Sequence, residues 1–232
     1  MAANYVLESV AEASQSREVI FAGDNVRLAG QIDYPVSPPP RSGYPFLFVI
    51  HHAGGNTRAD FEHYAQVGLE CGFAVFRWDK RGTGRSGAGG RGSTLQDAVN
   101  AYKVALSQPG IDRERSIILA QGEGTLMLSD IFKALANIEK PEACLLIANL
   151  LDKDDILMLD TQVQIIIGAE DWISWRVYGK SACDAHNEKY GRDANFSVAH
   201  HADRLLIDTR YTDHRIHIGA KHIIKDWLYS LG

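Results

Sequence analysis

The sequence predicts an α/β protein, with a mostly parallel sheet of eight strands and helices on both faces. Three observations carry this. Short apolar runs alternate with helix-period segments over most of the 232 residues. Some runs, such as YPFLFVI at 44–50, are apolar throughout, which suits a strand buried on both faces. Glycine, proline and polar clusters separate the runs at the short spacing of βα units.

Residues 1–17 read as a lead-in, followed by one domain over 18–232. Strand-like segments at 18–23 and 26–34 flank Gly23-Asp24-Asn25, good turn chemistry for a hairpin. Pro35 to Gly43 holds four prolines and reads as a loop. A strand at 44–52 leads to a helix at 58–71 that stops at Gly72. Strand 73–79 and a glycine-rich loop precede a helix at 95–107, ended by Pro109-Gly110. Strand 116–120 and helix 124–137 follow, then strands 143–149 and 162–168. A helix at 174–190 contains the unfavourable Gly179. Segment 204–209 (RLLIDT) reads as the last strand and 218–231 as the last helix.

Composition narrows the function classes. Apolar residues make up 45% and charged residues 23%, with a net charge of −5. This gives no electrostatic reason to expect nucleic acid or an anionic membrane as partner. No apolar run reaches the ~20 residues that span a bilayer. The N-terminal stretch has no signal-peptide pattern. Cys71, Cys144 and Cys183 are widely spaced, as in reduced, mostly buried thiols, so a cytoplasmic location is expected. No metal or cofactor is expected. His51-His52 and the Asp152–Asp155 cluster lack zinc or EF-hand spacing. Nothing indicates an oligomeric state.

Ligands of such sheets bind at the carboxyl ends of the strands. Those ends carry His51-His52-Ala53-Gly54-Gly55, then Asp79 to Ser86, Gln121-Gly122-Glu123-Gly124, Gly168 to Trp172, and Tyr211 to His214. Together these segments resemble the α/β-hydrolase superfamily, close to its small esterase and serine-aminopeptidase-like branch, over roughly residues 18–232. "HAGG" (52–55) is similar to the family's His-Gly-x-Gly oxyanion segment. "DKRGTGRS" (79–86) matches its Asp-x-Arg-Gly-x-Gly-x-Ser loop, which reads mainly as architecture. "AQGEGT" (120–125) resembles the nucleophile elbow, with Gly122 where serine belongs.

The resemblance implies Asp171, in "GAEDW", as the acid and His214 as the histidine. Their bland rivals are an exposed loop carboxylate for Asp171, and His217, His200 or His201 in place of His214. It also implies an oxyanion hole from the backbone N–H groups of Gly54 and Glu123. Only Leu150 to Thr161 separates strands six and seven, so no cap domain is expected, and the pocket should be shallow and open.

Glycine has no side chain, so no acyl-enzyme can form at 122. Three readings remain open. The chain can be a hydrolase whose serine has been replaced. It can be a natural binder of a small molecule or a protein on the hydrolase fold. Or water, activated by His214 with Asp171, can stand in for the serine. The expected partner is a small acyl substrate or ligand.

Overall fold

The computed structural model describes residues 15–51, 54–89, 91–191 and 194–231. β1 (Gln15–Ala22) and β2 (Arg27–Tyr34) form an antiparallel hairpin. Gly23 N–H closes its turn on Val26 O at 2.8 Å. Asn25 there takes a left-handed conformation, φ 57°, which asparagine tolerates better than most residues. Gln15, inside the stretch read as a lead-in, already pairs with Tyr34.

Six further strands follow: β3 (Tyr44–Ile50), β4 (Ala74–Asp79), β5 (Ile111–Gln121), β6 (Ala143–Ile147), β7 (Gln162–Gly168) and β8 (Asn195–Ala199). They form one eight-stranded sheet in the order β1-β2-β4-β3-β5-β6-β7-β8. β2 runs antiparallel to β4, and every pair from β3–β4 onward is parallel. Among the described residues, α1 (Glu62–Glu70), α2 (Thr94–Leu106), α3 (Glu123–Ala136) and α4 (Ile173–Tyr190) lie between strands, and α5 (Ile218–Ser230) follows β8. A 3-10 turn at Arg58–Phe61 precedes α1. The β6–β7 connection holds only a short 3-10 turn at Asp155–Met158, with no cap domain.

The alternation along β3 shows why the sheet is buried twice. Phe46, Phe48 and Ile50 join the core that includes Tyr102 of α2 and Leu128 of α3. Leu47 and Val49 join the opposite core, with Tyr64 of α1 and Trp227 of α5. Each such fully buried side chain contributes roughly 1.5–3 kcal/mol.

The last strand is not 204–209. It is β8, Asn195–Ala199. Segment 204–209 is a turn that pairs through isolated bridges, Ala202 to Asp208 and Ile207 to Ile216, and not through a strand ladder. Asp203 Oδ1 accepts the N–H groups of Leu205 and Ile207 at 2.8 and 2.9 Å, and so curls the chain. Leu206, at φ 61°, leaves the extended region altogether. Leu206 instead joins the core beneath α1 and α5, with Leu205 packed against it. α4 runs unbroken through Gly179, where an added Cβ would come 2.9 Å from the Phe196 ring of β8. The glycine's helix cost allows that close packing.

Candidate active site

β5 ends at Gln121, α3 starts at Glu123, and Gly122 joins them at φ 57°, ψ −126°. This sharp strand-to-helix turn lies in a region that side chains adopt only at a cost of order 1–3 kcal/mol. Gly122 N–H donates to Ile147 O at 2.9 Å, which fixes the turn to β6. Gly122 O accepts Thr125 N–H at 2.9 Å and Thr125 Oγ1 at 2.7 Å. At Gly124 an added Cβ would stand 2.4 Å from Ile50 O, so glycine lets α3 begin against the end of β3.

Beside the elbow lies a cleft of about 310 Å³, lined by His51, Gly54, Lys80, Arg81, Thr94, Glu123 and Met127. It brings together Gly54 and Glu123, the two expected oxyanion residues. His52 and Ala53 of the same segment lie outside the described residues. His51 is buried, stacks on Phe61 at 4.8 Å, and its Nε2 lies 2.7 Å from Trp78 O. A larger cavity, about 880 Å³, lies at the opposite edge of the sheet against Tyr34, Tyr44 and Pro109. Its lining includes none of the strand-end motifs, and the smaller cleft is the one that borders the elbow.

The 79–86 loop is largely architecture, with partners wider than local pairing. Buried Asp79 accepts the backbone N–H groups of Arg58 and Arg85 at 2.8 and 3.0 Å. Arg81 Nε donates to Asp97 of α2 at 2.6 Å, and Arg85 pairs with Glu18 of β1. Lys80 differs from these. It is 7% exposed, yet it lines the cleft. Burial pushes its ammonium below the usual lysine value, and the nearby charge of Glu123 opposes that shift.

The acid and the histidine are not joined. Asp171 follows β7 in a turn where its N–H donates to Gly168 O at 3.1 Å. Its Oδ1 accepts Trp172 N–H at 2.8 Å, while Oδ2 is buried with no hydrogen-bond partner. His214 lies in an exposed run, 209–215, at φ 52°. That run bulges from a neck closed by the Ile207–Ile216 bridge and by Asp208 N–H to Arg215 O, 2.9 Å. Of the rival histidines, His217 caps α5, where its Nδ1 accepts Ala220 N–H at 3.3 Å, and burial lowers its pKa. His200 and His201 lie just past β8, both exposed.

Sequence reasoning missed the segment that reaches the elbow from β8. Gln121 Nε2 donates to Arg204 O at 3.2 Å, and Tyr64 OH to Leu205 O at 2.8 Å. Glu170 N–H donates to Ala202 O at 3.0 Å, tying the Asp171 turn to the same segment. The residue whose backbone is bound beside Gly122 is therefore Arg204. The signal for it was there, in a turn-forming Asp203, but the apolar run concealed it.

Among the described residues, no group of three or more His, Cys, Asp or Glu side chains is placed to hold a metal ion, and no helix is long and apolar enough to cross a membrane. No protein-family model matches the sequence, and no curated protein matches it. Solved structures do match. One is a protein of unknown function described as a putative α/β hydrolase from Agrobacterium tumefaciens, at 19% identity over 92% of this chain and 95% of that one, TM-score 0.72. Another is a dienelactone hydrolase-like promiscuous phosphotriesterase from metagenomic libraries, at 16% identity over 94% and 99%, TM-score 0.69. A third is a dienelactone hydrolase from Anabaena variabilis, at 12% identity over 94% and 98%, TM-score 0.67. With the sheet order and the elbow between β5 and α3, these likenesses establish that this chain has the α/β-hydrolase fold.

Proposed function

We propose that this protein, of hydrolase lineage, binds a small acyl ligand in the cleft beside Gly122 without serine-dependent turnover. One observation carries the reading. A sharp strand-to-helix turn stands beside a cleft lined by Gly54 and Glu123, while the residue at the turn has no side chain. Two further facts support it. Asp171 Oδ2 has no partner, and His214 lies in the exposed lobe, which supports a site without the acid–histidine pair that would activate a serine or a water.

The test uses p-nitrophenyl esters of increasing acyl length, with the corresponding free acids in a thermal-shift assay. The chain as it stands is expected to leave the esters intact and to gain thermal stability from at least one acid. Ester hydrolysis that disappears in His214→Ala would establish the water route instead. Strong hydrolysis in Gly122→Ser alone would identify a hydrolase lacking only its nucleophile.

A further inference from the structure

The buried face of α4 is made of small residues and one histidine: Gly179, Ala182, Cys183 and His186. Its larger apolar residues stand outside, at the N-terminal end. Among the described residues, Ile173, Val177 and Trp172 are the most exposed large apolar side chains, at 70, 67 and 62%. Ile173 and Val177 are one helical turn apart, and Val177 lies across the helix from Gly179. The Trp172 and Trp175 rings meet edge-on at 5.3 Å, and Trp175 meets Tyr178 at 5.7 Å. Trp172 is thus braced by its neighbours while its own ring faces solvent. A contiguous exposed patch of this kind marks a contact surface. Because β5, β6 and β7 run parallel, the patch lies at the same end of the sheet as Gly122.

We propose that the N-terminal end of α4 seats this protein on a phospholipid surface. Ile173, Val177 and the Trp172 ring enter the acyl boundary, and Arg176 and Lys180 meet the headgroup phosphates. Tryptophan and tyrosine suit that boundary, with an apolar body and one polar atom. Charge along the helix selects this occupant. The exposed stripe runs from Ile173 and Val177 through Lys180 to Asp184 and Glu188, so it is apolar and cationic at one end and acidic at the other. Arg176 is held beside the patch by its bond to Ala169 O, 2.9 Å. Lys180 pairs with Asp184, both more than half exposed, and a pair so exposed is weak enough to yield to a phosphate. Glu170, exposed on the turn before Trp172, stays in water, so the insertion is shallow. The chain's net charge of −5 opposes an anionic surface as a whole, so attachment depends on this local patch. A second copy fits the stripe less well. Two-fold antiparallel pairing along it would set Val177 and Ile173 of one copy against Asp184 and Glu188 of the other, covering carboxylates with no cation. Docking of this face needs no ligand in the cleft.

The experiment mixes the intact protein with vesicles of phosphatidylcholine, alone and blended with phosphatidylglycerol, and follows co-sedimentation and tryptophan emission. Trp78 and Trp227 are buried, so a shift of emission to the blue reports Trp172 and Trp175. The protein is expected to sediment with the blended vesicles and shift to the blue, and to bind phosphatidylcholine alone several-fold more weakly. Ile173→Asp and Val177→Asp should each weaken binding by roughly ten-fold or more, the loss of one inserted aliphatic side chain. Both positions are exposed in the folded chain, and an unchanged thermal midpoint shows that the variants fold. Ile20→Asp, at an exposed position on β1 at the other edge of the sheet, should bind like the parent. Absence of sedimentation and of any blue shift in the unmodified chain overturns the proposal. So does binding that Ile173→Asp and Val177→Asp leave unchanged, since another face would then carry it. Sedimentation velocity without vesicles decides the second-copy reading. A dimer that Ile173→Asp dissolves makes the patch a self-interface and also overturns the proposal.

Discussion

His63 shows how one side chain can set the acid limit of this molecule. It sits on α1 with its ring 3.9 Å from that of Tyr64 and bonds the Leu205 backbone, in the segment that reaches the elbow. Burial pushes its pKa down from 6.5 to about 4, against weaker opposition from that backbone bond and Asp203. Its Nε2 is buried without a partner, so the protonated ring would carry an unmatched N–H. The unfolded chain takes up the proton first as pH falls. The stabilisation from neutral His63 is therefore full above pH 6.5 and is lost as pH drops toward 4, a change of at most ~3 kcal/mol. Urea unfolding at pH 7 and pH 4.5 checks this, with His63→Phe as control. The variant should show a shallower decline than the parent, and parallel declines would remove His63 as the cause. Single residues were unequally legible in the sequence. Gly122 stood out because the elbow is a contiguous motif. Lys80 did not, because its burial in the cleft depends on elements distant in sequence.

The elements were legible where hydrophobic period and punctuation agree, as in β3, β7 and α3. They failed at the last strand. β8 is five residues with Asn195 and Ser197 in it, partly exposed at the sheet edge, so its pattern is faint. The Arg204 to Thr209 run has the stronger apolar signal, yet the Asp203 carboxylate turns it and Leu206 takes a left-handed φ. A side-chain hydrogen bond outweighed local propensity there. The α3–β3 junction gives a sharper test of element packing. An alanine methyl at 124 would stand 2.4 Å from a backbone oxygen, which cannot swing away. Gly124→Ala should destabilise the fold by about 1–3 kcal/mol, despite alanine's better helix propensity. Leu126→Ala, at a half-exposed position in the same helical turn, should cost far less. Equal changes in denaturation midpoint for the two variants would refute the close approach.

At the scale of the whole molecule, the parallel sheet brings residues far apart in sequence to one edge. The sequence revealed the strands, and the family resemblance supplied an order for the triad. It did not reveal which part of the chain after β8 returns to the elbow, because that depends on Gln121, Tyr64 and Glu170 capturing the 202–205 backbone. His214 lies ten positions beyond Arg204, in a lobe whose neck is closed without it. A base meant to serve a nucleophile at 122 would therefore be better placed at 204 than at 214. Gly122→Ser alone must hold serine at φ 57°, costing ~1–3 kcal/mol, and should remain nearly inert for want of a base. Gly122→Ser with Arg204→His should hydrolyse p-nitrophenyl acetate faster than the single variant, toward the ~10²–10⁴-fold that a positioned general base supplies. The gain should fall away as pH drops below that of a neutral imidazole, and adding Asp171→Asn should reduce it, since Oδ2 is the free acceptor beside this segment. If the double variant is folded but no faster than the single one, the turn at 204 does not face the elbow. If His214→Ala removes the activity of Gly122→Ser while position 204 has no effect, the exposed lobe closes over the site in solution and His214 is the base.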